Sequence, residues 1–516
     1  MGGTFSDPIP NYLDTEGYVC MVLRSYDKFR IIHAPRDVKE MVLRVIREVS
    51  QDNDLVGTDK FGAIQYRLPG SPFTLNTGRE SATIGKLFAI RIFEEMNHLG
   101  YDLVCSSDLS RAYDQSSWFF KKVIPERSRQ PVLCVAPGST DKLVIVRGCD
   151  YVIEAIKKAI ELTWPPGLQT EKVEECYGEK YYEFKLRGNP WYGQGDESTA
   201  CRQLLLNIIG ALGQVKWRLL GATNLKGGTD SLFFVYDDNH YLCSEELAML
   251  SLNRNDRIRL INFNPELTNM ARDVILRFYQ TKEPEHRDYY GASELKLKGY
   301  PFASSGSDAI LTRQLICRLL EAFRNRGWEV LATIDISRKV TDKSVFLMRK
   351  CESAKVKIGC VSLSDVDRIR LCNLPNQVVK AFRDAIAKSY LPGIGFEEAR
   401  DGSCYEMDLQ GMPWTQNSSY NVHARSMLTF LLKEAFNYGW SLTCSADVSA
   451  KYVHTENGPD YPIDVHSWFL TFQGMPKGVS LPETSSAPVS YAELRVSDLE
   501  APPPPPTYEE ARLNSA

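Results

Sequence analysis

Apolar positions along this chain fall into two rhythms. Over residues 80–99 they come at Ile84, Leu87, Phe88, Phe93, Met96 and Leu99, close to a 3.6-residue period, which predicts an amphipathic helix. Residues 313–326 and 425–438 repeat that rhythm. Two further helices are predicted over 265–279 and 375–390, each opening on a proline whose missing N–H suits a first helical turn. Between the helices lie short apolar runs such as Val132-Leu133-Cys134-Val135, which read as strands.

A string of Leu-x-Gly-x-Pro-aromatic recurs along the chain. It stands at Leu68, Gly70, Pro72 and Phe73, then at Leu186, Gly188, Pro190 and Trp191. It returns at Leu297, Gly299, Pro301 and Phe302, and again at Leu409, Gly411, Pro413 and Trp414. The glycine numbers differ by 118, 111 and 112. Other features keep phase with it. An aromatic follows about thirty residues on (Tyr101, Trp217, Trp328, Trp440), after a helix-ending glycine in three copies (Gly100, Gly327, Gly439). Then come Asp108, Asn224, Asp335 and Asp447, and a Ser-x-Phe string beginning at Ser117, Ser231, Ser344 and Ser467. Upstream stands a charged strand: 27–30, 141–143, 256–259 and 367–370. A fixed period of this kind marks a repeat architecture.

The unit reads strand, strand, helix, strand, helix, strand, strand, so the fold class is α+β: four tandem diverged repeats of about 105 residues. The divisions are 18–123, 131–236, 240–348 and 355–472, with a flexible N-terminus over 1–17 and a disordered, proline-rich tail over 473–516. Each unit is expected to be a small sheet with helices mostly on one face, leaving another face for its neighbours. A closed ring and an open string are both compatible with the pattern.

Composition narrows the function classes. Hydrophobic residues make up 43% and charged residues 24%, a globular balance, and 516 residues exceed a single core. A formal charge of -4 gives no global field for nucleic acid. The thirteen cysteines are scattered without C-x-x-C or zinc-finger spacing, so no metal is expected and a reducing, intracellular compartment is read. No apolar stretch is long enough to span a bilayer.

Candidate chemistry is sparse. Asp108, Asp335 and Asp447 each begin Asp-x-Ser with Arg111, Arg338 or Lys451 nearby, a set that suits a polar ligand or equally a side-chain-to-backbone turn. His454 and His466 stand beside Asp460 and Asp464 in an insertion of the fourth unit. No catalytic constellation and no cofactor motif is legible. Gly193 to Gly195 is glycine-rich but lacks the lysine that phosphate chemistry needs. Arg257 with Arg259, and Arg368 with Arg370, alternate along strands and so share a face, which either collects phosphates or meets acidic partners.

The two ends carry short motifs. Met1-Gly2-Gly3-Thr4-Phe5-Ser6 resembles an N-myristoylation signal with Gly2 as acceptor; one acyl chain holds a protein to a membrane only marginally. In the tail, Pro505-Pro506-Thr507-Tyr508 resembles the PPxY ligands of WW domains, modules carried by HECT-type ubiquitin ligases and several scaffolds. Proline runs favour polyproline II, so binding of this one is expected to cost little ordering. Val489, Tyr491 and Leu494 resemble an immunoreceptor-type inhibitory motif read as phosphotyrosine, and equally a tyrosine sorting signal read by sorting adaptors. The combined expectation is a cytoplasmic adaptor, partly associated with the cytoplasmic face of membranes, that recruits WW-domain proteins. The alternatives are ligand binding or catalysis in clefts between units, and phosphoinositide binding through the arginine strands.

Overall fold

An apolar run with little polar alternation opens every unit, and it becomes a central strand because both its faces are covered. The computed structural model describes residues 6–475 apart from 12, 53, 75–78, 111–115, 194, 226–227, 281, 338–342, 401–403, 416–418, 450–451, 454–460 and 463. The first unit comprises β1 (Tyr18–Arg24), β2 (Lys28–Ile32), α1 (Arg36–Ser50), β3 (Thr58–Lys60), β4 (Ala63–Arg67), α2 (Arg79–His98), β5 (Tyr101–Ser107) and β6 (Ser117–Lys122). The second repeats the order with β7 (Val132–Gly138), β8 (Lys142–Val146), α3 (Asp150–Thr163), β9 (Leu168–Cys176), β10 (Glu179–Leu186), α4 (Asp196–Gln214), β11 (Trp217–Thr223) and β12 (Ser231–Tyr236). The third has β13 (Leu247–Asn253), β14 (Arg257–Ile261), α5 (Pro265–Phe278), β15 (Glu285–Tyr289), β16 (Ala292–Lys296), α6 (Gly306–Asn325), β17 (Trp328–Ile334) and β18 (Val345–Lys350). The fourth has β19 (Ile358–Ser364), β20 (Arg368–Cys372), α7 (Asn376–Ser389), β21 (Ile394–Arg400), β22 (Cys404–Leu409), α8 (Tyr420–Asn437) and β23 (Trp440–Ala446). It then inserts a two-residue pair, β24 (Tyr452–Val453) and β25 (Tyr461–Pro462), before β26 (Ser467–Phe472).

Each unit forms one six-stranded antiparallel sheet, in the first with order β3-β4-β2-β1-β6-β5, and the other three sheets repeat it. The α+β repeat is therefore as read from the sequence, with one strand added. That strand (β3, β9, β15 or β21) escapes a hydrophobic pattern because it is a largely exposed edge: Thr58–Lys60 is exposed throughout, and β15 reads Glu-His-Arg-Asp-Tyr.

The repeated glycine corner has one geometry in all four copies. Gly70, Gly188, Gly299 and Gly411 take φ between 72 and 80°, a left-handed conformation that favours glycine. The corner folds back on the first hairpin of its unit. Leu68, Leu186, Leu297 and Leu409 donate their N–H to the carbonyls of Asp27, Asp141, Asp256 and Asp367 at 2.7–2.9 Å. The aromatics Phe73, Trp191, Phe302 and Trp414 donate to Tyr26, Thr140, Asn255 and Val366, and all four side chains are buried.

The units close into a ring. The second helix of each unit packs on its own sheet and also on the first strand of the next: α2 on β7, α4 on β13, α6 on β19 and α8 on β1. The inner edge strands meet in the same cycle, β5 with β11, β11 with β17, β17 with β23 and β23 with β5. Each hydrophobic core accordingly spans two units. That of the fourth takes in Cys20, Val22 and Phe119 of the first; that of the first takes in Cys134, Phe233 and Val235 of the second. The third copy of the serine string is corrected by one residue. Strand pairing places Leu347, not Phe346, at the position of Phe119, Phe233 and Phe469, because Cys20, Cys134, Met249 and Cys360 are their partners. A shift of one residue in a strand exchanges its two faces; Phe346 lies in its own unit's core, and Leu347 in the core it shares with the second unit.

Candidate functional site

The junctions between units gather most of the buried polar chemistry. Asp108, Asn224, Asp335 and Asp447 each follow an inner edge strand and meet the neighbouring unit through a reciprocal pair of hydrogen bonds. Ser116 N–H donates to the Asn224 carbonyl at 3.1 Å, and Asn224 N–H donates to Ser116 Oγ at 3.0 Å. Asp230 N–H donates to the Asp335 carbonyl at 2.7 Å, and the Asp230 carboxylate accepts from Asp335 N–H at 2.7 Å. Ser344 and Asp447 are joined the same way at 3.1 and 2.9 Å. The ring closes where His466 N–H donates to the Asp108 carbonyl at 3.1 Å and its Nδ1 accepts from Asp108 N–H at 3.3 Å.

The three aspartates singled out by the sequence therefore stand at three different junctions. Their carboxylates accept from the N–H two residues on: Ser110 at 3.4 Å, Ser337 at 3.1 Å and Ser449 at 3.0 Å. This is the side-chain-to-backbone turn that Asp-x-Ser favours. Arg111, Arg338, Lys451, His454 and Asp460 lie outside the described residues, as do Gly2, Val489, Tyr491, Leu494, Pro505, Pro506 and Tyr508.

Burial shapes the titration of these groups. Desolvation pushes the Asp230 carboxyl up to about 7, against the bond from Asp335. It pushes Asp447 up to about 7 as well, against the Ser449 bond and the charge of Lys343. His466 is driven down to about 4 by burial, so near neutrality it is an uncharged acceptor rather than an acid.

A second recurring feature escaped the sequence reading. Lys86, Arg202, Arg313 and Arg425 occupy one position on the second helix of each unit, and each is buried. The arginines reach into the next unit: Arg202 Nε donates to Ser251 Oγ at 3.0 Å, Arg313 Nε to Ser362 Oγ at 3.1 Å, and Arg425 Nε to Ser117 Oγ at 3.2 Å. Arg313 also donates to the Asp464 carboxylate at 3.0 Å. The signal was present, since the three arginines stand 14 residues after Gly188, Gly299 and Gly411 by subtraction.

The paired arginines of the charged strands face acids. Arg257 and Arg259 both bond Glu294, as does Arg287, and Arg370 donates to Glu406 at 2.6 Å. Arg368 donates to Asp408 at 2.7 Å. Burial alone would raise Glu294, but hydrogen bonds from Arg259 and Arg257 hold its carboxyl below the usual range.

At the junction of the second and third units Arg202 and Arg259 border a hollow of about 210 Å³. It is lined by Trp191, Arg202, Asn253, Arg254, Arg259 and Tyr289 among others, with Gly193 and Gly195 at the start of α4. The Tyr289 ring lies 3.8 Å from the Arg259 guanidinium, a cation–π contact. Cationic, amide and aromatic groups there can orient an anionic or planar ligand.

Among the described residues no helix is long and apolar enough to cross a membrane, and no group of three or more His, Cys, Asp or Glu is arranged to hold a metal. No curated protein matches the chain. A solved chain described as a conserved kinetoplastid-specific protein from Trypanosoma cruzi is similar over 22% of this chain and 97% of its own, at 16% identity and a TM-score of 0.16. One domain-family model matches at 17–121, 131–238, 246–349 and 357–471, the same four blocks that the sheets delimit. This chain belongs to that domain family and carries its domain four times.

Proposed function

We propose that this protein is a binding scaffold, a closed ring of four domains that presents a peptide-bearing tail to WW-domain proteins. The observation that carries the reading is Pro505-Pro506-Thr507-Tyr508, set beyond the last strand of a ring whose helices and sheets are largely engaged with one another. Strand β26 ends at Phe472, and Gln473 N–H donates to the Gly439 carbonyl at 2.8 Å, so the tail leaves from a fixed point. In this reading Tyr491 is a phosphorylation or sorting switch and acylated Gly2 supplies a weak membrane contact. Pulldown of WW-domain proteins by the full chain tests it. Tyr508→Ala abolishes their recovery, and recovery equal to wild type removes the scaffold reading. Gly2→Ala shifts the protein out of the membrane fraction, and an unchanged distribution removes the lipid contact.

The hollow between the second and third units favours a second reading, capture of an anionic small ligand. Arg202, Arg254 and Arg259 line the hollow and no acidic residue does, so its described lining carries an excess of positive charge even with Arg259 bonded to Glu294. Calorimetric titration with inorganic pyrophosphate tests it: Arg254→Ala weakens binding, and no heat with either protein rejects the reading.

A further inference from the structure

Five of the thirteen cysteines, Cys317, Cys360, Cys372, Cys404 and Cys444, lie in the one core shared by the third and fourth units. Three of them form a row across adjacent strands. Cys360 stands directly opposite Cys372 in the β19–β20 pair, and Cys372 directly opposite Cys404 in the β20–β22 pair. The second unit pairs Val146 with Tyr181 at the place of Cys372 and Cys404, and the third has Ile261 in the place of Cys372, so the thiol pair is particular to the fourth unit.

The Sγ atoms of Cys372 and Cys404 are 3.4 Å apart and share a hydrogen bond. A disulfide is about 2.05 Å long and joins Cα atoms roughly 4.4–6.8 Å apart. Directly opposed residues of an antiparallel pair have Cα atoms about 4.5 or 5.5 Å apart, inside that window in either register. Bond formation therefore needs side-chain rotation and no strand movement. We propose that Cys372 and Cys404 are an oxidisable dithiol, which a hydroperoxide converts into a disulfide between β20 and β22.

The local charges support the chemistry. The hydrogen bond with Cys404 is the largest influence holding the Cys372 thiol below its usual range, and the guanidinium charges of Arg313 and Arg370 add to it, against burial and the Glu406 carboxylate. The same hydrogen bond, together with burial, raises Cys404, so of the two thiols Cys372 is the one that loses its proton first. Cys404 is the more open of the two, 5% exposed at the first residue of β22, whereas Cys372 is fully buried. One thiol of the pair first gives up its proton, and its thiolate attacks a peroxide oxygen. An S–O bond forms, the O–O bond breaks, and the departing hydroxide takes up that proton as water. The second sulfur then attacks the sulfenic sulfur; the S–S bond forms, the S–O bond breaks, and a second water leaves with the remaining proton. Two thiols are oxidised by two electrons, and hydrogen peroxide is reduced to two waters.

The test uses the reduced full chain, treated with hydrogen peroxide, alkylated and digested without reductant. A peptide joined through Cys372 and Cys404, formed from folded protein and lost in Cys404→Ser, is expected. In Cys404→Ser the oxidised Cys372 stops at sulfenic acid and is trapped by dimedone. Circular dichroism of that variant shows that the loss is chemical rather than a failure to fold, and Cys404→Ala serves if the serine variant is unfolded. Three outcomes overturn the proposal: no joined peptide in the folded protein, joining of Cys372 to Cys360 or Cys317 instead, or joining only after urea unfolding.

Discussion

The Asp464 carboxylate accepts from the Arg313 guanidinium at 3.0 Å, and the two residues belong to different units. Arg313 comes from the second helix of the third unit and Asp464 from the insertion of the fourth, so this ion pair fastens one junction of the ring. Their side chains are 2% and 8% exposed, which places both charges out of water. Removing one partner of a buried pair leaves the other unmatched and costs about 3–5 kcal/mol. Arg313→Ala is therefore expected to lower stability by that order in urea titration. Arg313→Met combined with Asp464→Leu removes both charges and is expected to recover most of the loss. A double variant no better than the single one would show that the charge pairing is not what matters.

Closure itself is testable. A chain ending at residue 350 lacks the fourth unit, which bares the α6 face that packs on β19 and the β1 face that packs under α8. Two complementary apolar surfaces on one molecule join head to tail. Size-exclusion chromatography should find this chain as concentration-dependent oligomers or aggregate, while the full chain elutes as one compact species. A stable three-unit monomer would contradict the ring.

The left-handed residue that ends the second helix of each unit offers an internal comparison. Gly100, Gly327 and Gly439 hold φ of 76–79°, and the second unit holds Lys216 there at φ 69°. The position is constrained in all four copies, because its carbonyl accepts from Val123, Asp237, Cys351 or Gln473 at 2.8–3.0 Å. Gly439→Ala is expected to destabilise by about 1–3 kcal/mol, since a side chain is strained at this φ and its Cβ would meet the Gly474 carbonyl at 2.6 Å. Lys216→Gly is expected to move the urea midpoint upward, because it relieves the same strain.

Two junction carboxylates give the ring a pH dependence of known sign. Asp230 and Asp447 are raised to about 7 from an ordinary 3.8, so the folded state keeps their protons where the unfolded chain has lost them. Their contribution is complete below about pH 4 and disappears as pH rises through about 7. His466 acts oppositely. Its depressed value of about 4 means that its contribution is present above 6.5 and lost as pH falls toward 4. Asp230→Asn isolates the first effect, because an amide oxygen can still accept from Asp335 N–H without a charge. The variant should melt higher than wild type at pH 8 and at the same temperature near pH 4. Equal differences at both pH values would exclude the carboxylate as the cause.

Much of the fold was legible because its strongest markers are local. A glycine needed at positive φ, a proline after it and a buried aromatic beyond them require no knowledge of the partner, so Gly70, Gly188, Gly299 and Gly411 announce the unit directly. The edge strands were not legible, since a strand wetted on most of its surface, such as Glu285–Tyr289, carries no two-residue apolar rhythm. The junction site was half legible. Asp108, Asp335 and Asp447 stood out by phase, but their partners Asp230, Ser344 and His466 differ in side chain and share only a place in space.

The amino-acid order alone determined the period, the α+β character of each unit and the count of four, because backbone conformation and apolar spacing are properties of short segments. It also placed the proline and tyrosine motifs beyond the last unit. Tertiary structure decided that the four units close on themselves, that each second helix serves two sheets, and that Arg313 finds Asp464. Those outcomes depend on the rotation from one unit to the next. Apolar residues on both faces of a strand require a neighbour, but a non-directional hydrophobic force does not specify which neighbour or at what angle.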